Sequence, residues 1–82
     1  MKRRNSFQIM SEILQIAEKG TNKTHIVYGA NLNFKLLDQY LVELEEDGLI
    51  TTNVEPGNKI KTTERGLMFN QKYQRLHQFI ST

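Results

Sequence analysis

The sequence predicts a mainly α fold with one small β-hairpin, in the order ααα-ββ-α, and three observations carry that expectation. Apolar residues recur at spacings of three and four in three long segments. Between residues 49 and 62 the period changes to a β-branched, alternating one. Gly20, Gly29, Gly48 and Gly57 fall where one pattern gives way to the next. The 82 residues, 38% hydrophobic and 24% charged with one Pro and five Gly, fit a single domain over residues 1–82 and exclude a disordered tail or a collagen-like rod.

The first helix is expected over residues 7–19, with Ile9, Met10, Ile13, Leu14, Ile16 and Ala17 on its apolar face, Ser6 as N-cap and Gly20 as stop. Thr21 or Asn22 caps a short second helix running through Tyr28, with Ile26, Val27 and Tyr28 as its apolar members and Gly29 as its end. After a tight turn at residues 30–32, Asn33 caps a third helix with the stripe Phe34, Leu37, Tyr40, Leu41 and Leu44. Gly48 closes it in a left-handed conformation. Residues 49–54 and 59–62 read as paired strands, joined by Glu55-Pro56-Gly57-Asn58, which puts Pro and Gly at the central positions a type II turn favours. Thr62 or Thr63 caps a last helix over residues 63–81, on which Phe69, Tyr73, Leu76 and Ile80 form a stripe of two heptads.

A chain this short buries only about 60 to 65% of the surface its unfolded form exposes, so its core needs reinforcement. The absence of Cys excludes disulfides and thiolate zinc, which leaves self-association. No apolar run reaches membrane-span length, and residues 1–5 lead into an amphipathic segment rather than a signal-peptide core, so a cytoplasmic location is expected. Net charge is only +2, but it is segregated. Residues 1–37 carry +4, residues 38–58 carry −6 through Asp38, Glu43, Glu45, Glu46, Asp47 and Glu55, and residues 59–82 carry +4. One basic and one acidic side follow from those blocks.

The order helix, helix, turn, helix, hairpin, helix is that of a winged helix-turn-helix. The run Lys23-Thr24-His25-Ile26-Val27-Tyr28-Gly29-Ala30-Asn31-Leu32-Asn33, followed by Tyr40-Leu41, Leu44, Gly48-Leu49-Ile50 and Thr63-Glu64-Arg65-Gly66, resembles the small archaeal winged helix-turn-helix DNA-binding proteins. These are dimeric nucleoid-type proteins and predicted transcriptional regulators. The resemblance covers nearly the whole chain. It implies sequence-tolerant or regulatory binding of double-stranded DNA, by a homodimer joined through C-terminal helices and associated with the nucleoid. Those proteins have a long coiled-coil helix, whereas roughly 18 residues of helix here span only about 27 Å.

The candidate DNA-binding residues fall in three groups. On helix three, Lys35, Gln39, Val42 and Glu46 point away from the buried face, with Asn31 and Asn33 beside its start. Gln can hold adenine through two hydrogen bonds and Lys can reach guanine or a phosphate. Against this, Lys35 and Gln39 could be plainly solvated, and the cap is the better account of Asn33. At the start of helix two, Thr21, Asn22, Lys23 and Thr24 offer free backbone N–H groups and the positive end of a helix dipole to a phosphate. On the hairpin, Lys59 and Lys61 share one face while Ile60 packs inward; they serve either as phosphate contacts or as protection of a strand edge. Lys2, Arg3 and Arg4 read as a backbone-tracking arm or as a solvated terminus. Glu45, Glu46 and Asp47 sit where the helix dipole disfavours them, which either orients helix three tip-first toward phosphates or is a solvated acidic face.

No enzyme is expected. His25 and His77 lie far apart without a second ligand at metal spacing or a nucleophile motif, and no Gly-rich phosphate loop or cofactor signature is present. The dimer interface is assigned to Phe69, Tyr73, Leu76 and Ile80. The alternative from another class is a winged-helix module for protein interaction without DNA binding, which exposed Leu36 and Val42 and the acidic patch would suit.

Overall fold

A computed structural model of the chain describes residues 4–80, in the order α1 (Ser6–Ile16), α2 (Lys23–Ala30), α3 (Phe34–Glu46), β1 (Ile50–Val54), β2 (Lys59–Thr62) and α4 (Glu64–Ile80). Helix α1 is capped by Asn5 rather than Ser6, its Oδ1 accepting the Gln8 N–H at 2.8 Å. Neighbouring Asn and Ser are equally good caps by type, so only the geometry selects between them. The helix ends at Ile16, three residues before the expected last residue 19, because the Ala17 carbonyl accepts the N–H of Thr62 at 3.0 Å and of Gly20 at 3.1 Å. The chain thus leaves α1 toward the hairpin.

Asn22 caps α2 through the His25 N–H at 2.8 Å. Gly29 does not end this helix. It sits inside it, where a Cβ would meet Ile16 Cδ1 at 2.8 Å, and the stop is Asn31 in the left-handed region at φ 55°. Asn33 then caps α3, accepting the Leu36 N–H at 2.7 Å, and the chain turns after Asp47 through Gly48 at φ 74°.

Strands β1 and β2 are antiparallel, pairing Ile50 with Thr62 and Thr51 with Lys61. A shift between Thr51 and Val54 then brings Val54 opposite Lys59. Asn53 takes a positive φ of 59° in that irregularity, and Gly57 and Asn58 do so in the turn. Thr21 adds a bridge to the other edge of β2, exchanging hydrogen bonds of 2.9 and 2.7 Å with Ile60. The alternation on β2 puts Ile60 and Thr62 inside and Lys59 and Lys61 outside.

The core brings together Ile13 and Leu14 of α1, Ile26 of α2, Leu37 and Leu44 of α3, and Ile50 and Ile60 of the hairpin. Each such side chain contributes about 1.5 to 3 kcal/mol on burial. The Thr62 hydroxyl donates to the Leu14 carbonyl at 2.7 Å, satisfying an acceptor that the end of α1 leaves without a helical partner. Two aromatics that the periodicity placed among the apolar members lie outside. Tyr28 is 78% exposed and Phe34, the first residue of α3, is half exposed beyond the core's edge.

Helix α4 lies along α1. The buried Ser11 hydroxyl donates to Asn70 Oδ1 and accepts from Gln74 Nε2 at 3.1 Å, and the Phe7 and Phe69 rings face each other at 6.4 Å. Its start is fixed by Thr63, whose hydroxyl donates to the Gly48 carbonyl at 2.7 Å and accepts the Gly66 N–H at 3.0 Å. Gly66 is required by close approach, since a Cβ there would lie 2.2 Å from the Leu49 carbonyl oxygen.

Candidate nucleic-acid interface

The outward face of α3 carries Lys35, Gln39, Val42 and Glu46, all exposed, as the helical spacing predicts. Leu36 is half buried, so the apolar part of that surface is Val42, 58% exposed. At the helix start, Asn33 spends its side-chain oxygen on the cap. The Asn31 carbonyl accepts a guanidinium N–H of Arg4 at 3.2 Å, while the same guanidinium pairs with Glu12. Arg4 is therefore folded back onto the α2–α3 turn and is not an outstretched arm residue. Lys2 and Arg3 lie outside the described residues.

The four residues expected to open α2 toward a phosphate divide. The Thr21 N–H is consumed by the bridge to Ile60, so Thr21 offers no free backbone donor. Asn22 uses its side chain as the cap. Lys23 extends its ammonium toward α3 and pairs with Asp38 Oδ1 at 2.7 Å, both side chains about half exposed. Thr24 is exposed, and one turn further Tyr28 stands beside it on the same helix. The sequence reading counted Tyr28 among the apolar members of this helix; the signal for its exposure was its place one residue after Ile26-Val27, which a 100° step swings away from the core.

Lys59 and Lys61 project from the hairpin on the side opposite Ile60, with the turn residues Gly57 and Asn58 exposed before them. Between the hairpin and α3 runs an open groove of about 470 Å³, lined by Lys23, Asp38, Val42, Glu45, Asn53 and Asn58 among others. Its two carboxylates are both engaged, Asp38 by Lys23 and Glu45 by the Thr52 hydroxyl at 2.8 Å. At the far end of α3, the Asp47 carbonyl accepts Arg65 Nε at 3.0 Å. A cation at the helix C-terminus offsets part of the dipole cost of Glu45, Glu46 and Asp47.

A helix whose start is capped and whose outer face is polar, followed by a two-stranded projection bearing lysines, is the geometry of a reader helix with its wing. The winged helix-turn-helix family model matches residues 3–81. The chain belongs to the winged helix-turn-helix family. The solved structure of Sso10a-2, a DNA-binding protein from Sulfolobus solfataricus, superposes with a TM-score of 0.83 at 27% identity, covering 93% of this chain and 81% of that one. An uncharacterized protein of the archaeon Methanocaldococcus jannaschii is 37% identical over 65 residues, which are 78% of this chain. The chain spans 64% of that relative's length, slightly less than two thirds. In this family's terms α2 and α3 are the helix-turn-helix pair and β1–β2 is the wing.

The residues expected to join two winged helices through α4 do not share one environment. Phe69 is half buried, packed against the protein's own core and close to the Phe7 ring. Tyr73 is half buried and stacks on His77 at 5.7 Å between ring centroids. Leu76 and Ile80 are 58% and 68% exposed, and Phe79, which the stripe omitted, is 84% exposed. Phe7, Tyr73, Leu76 and Ile80 line a mainly apolar groove of about 440 Å³ along α1 and α4. Among the described residues no group of three or more His, Cys, Asp or Glu could hold a metal, and no helix is long and apolar enough to cross a membrane.

Proposed function

We propose that this winged helix binds double-stranded DNA as a homodimer, acting in the cytoplasm on the nucleoid as a transcriptional regulator or an architectural chromatin-type protein. The observation that carries the reading is the exposure of Lys35 and Gln39 on the free face of α3 together with the two outward lysines of the wing. Likeness to a protein described as DNA-binding supports it. Lys35 and Gln39 enter a groove, with Asn31 and Asn33 at its edge. Lys59, Lys61, Asn22, Lys23 and Thr24 contact phosphates, and Tyr28 joins them through its hydroxyl. Thr21 acts only by bracing the wing against α2. Such phosphate contacts position the protein, and base contacts specify.

The homodimer rests on the end of α4. Leu76 and Ile80, with Tyr73 behind them, form an apolar edge that burial against a second copy would stabilise by about 1.5 to 3 kcal/mol per side chain. Residues 63–81 then serve as the dimerisation helix of a single domain.

Gel shift on random duplex DNA at two salt concentrations, run beside a sizing column, tests the proposal. Retention at low salt, its loss at high salt and a dimeric elution volume are the expected results. No binding at low salt would favour the protein-interaction reading instead.

A further inference from the structure

We infer that Asp38 is an affinity-limiting residue, which competes with the DNA backbone for Lys23 and so weakens binding to every sequence. The inference rests on the DNA-binding reading above and deepens it. Lys23 is the first residue of α2 and the cation nearest the groove between α3 and the wing, yet its ammonium lies 2.7 Å from Asp38 Oδ1. Asp38 belongs to α3, adjacent to Gln39, on the flank that faces this groove. A carboxylate there occupies the position a phosphate oxygen would take, and Lys23 cannot serve both with the same geometry.

Glu45, two turns along the same flank, is held by the Thr52 hydroxyl and is not a second partner of Lys23. The other cations assigned to the interface, Lys35, Lys59 and Lys61, carry no comparable ion pair among the described residues. Lys23 is therefore the phosphate contact that the protein itself restrains. Both members are about half exposed, so the pair is worth little to folding and is readily exchanged. What it changes is the reference state for binding. On any duplex, Lys23 must give up Asp38 before it neutralises a phosphate, and the carboxylate is then left close to the polyanion. That penalty falls on every sequence alike, so it lowers the overall affinity and leaves the ratio between sequences unchanged.

The test is a double-mutant cycle, Asp38→Asn, Lys23→Ala and the pair, read as affinity for a random-sequence duplex across a salt series. With Asp38→Asn the affinity at about 50 mM salt should rise on the order of fivefold, with the slope of log K against log salt nearly unchanged, as the same number of phosphates is neutralised. In the Lys23→Ala background the same substitution should give less than half that gain in log K. An equal gain in both backgrounds would mean that Asp38 acts only as a negative charge, and overturns the inference. So does an unchanged or lower affinity of Asp38→Asn while the unaltered protein binds. If the unaltered protein fails to bind duplex at low salt, the DNA-binding reading itself falls, and the inference with it.

Discussion

Two helices of this protein leave large surfaces uncovered, and the surfaces differ in kind. Helix α3 buries Leu37, Leu41 and Leu44 completely enough that what remains outside is mainly polar, with Phe34 and Val42 as apolar exceptions. Helix α4 buries only Gly66 fully; it is held to α1 through Ser11, Asn70, Gln74 and Phe69, and beyond Tyr73 it exposes Leu76, Phe79 and Ile80. A polar face fixed by a cap and a packed stripe keeps its geometry without a partner and suits a hydrated polyanion. An end that exposes several apolar side chains suits a surface that excludes water. On the proposed reading the difference separates recognition, on α3, from assembly, on α4.

That separation is broken most severely at Leu76. Leu76→Glu should give monomers that keep their circular-dichroism helix signal and bind DNA about a hundredfold more weakly, because the second reader no longer benefits from being tethered. Sedimentation and anisotropy on one preparation check both halves of this outcome. Loss of helix signal, or an unaltered protein that is monomeric at tens of micromolar, would contradict the assignment of assembly to α4.

Next in size is the wing. Lys59→Ala with Lys61→Ala should weaken binding to all sequences roughly equally, by about tenfold or more at low salt, and flatten the salt slope by about two per protomer. Melting temperature should hardly move, since both side chains are exposed. Gly66→Ala acts on folding alone. A Cβ driven toward the Leu49 carbonyl and Thr62 should destabilise the protein by about 1 to 3 kcal/mol, seen as a lowered denaturation midpoint. The smallest effect belongs to Gln39→Ala, which should leave random-duplex affinity nearly unchanged while removing about 1 to 3 kcal/mol of preference at one base position. Selection from a randomised duplex pool would show the lost position; an unchanged preference would mean that α3 does not read bases through Gln39.

The sequence carried the element order, the Asn33 cap, the left-handed Gly48 and the inward Ile60, because each is set by residue type and spacing within a few positions. It did not carry the end of α1, which Thr62 draws away from the helix, nor the helical place of Gly29, which Ile16 dictates from another element. The same limit applied at the interface. Lys35, Gln39, Lys59 and Lys61 were legible as one-face patterns. The occupied N–H of Thr21, the Arg4 contact to Asn31 and the Lys23–Asp38 pair are all long-range or between helices, and local pattern does not encode them. The contact of Phe69 with Phe7 was illegible for a related reason. Heptad spacing gives a stripe on α4, but only the approach of Phe7 shows which part of it the protein covers itself.

The central claim, that the α3 and wing face is a surface for duplex DNA, is tested most directly by the salt dependence of affinity for random duplex. With three to five phosphates neutralised per protomer, a dimer should show a slope of log K against log salt of about −5 to −9, which is roughly a thousandfold loss or more between about 50 and 200 mM. A slope near zero, or no measurable affinity at the lowest salt, would contradict it.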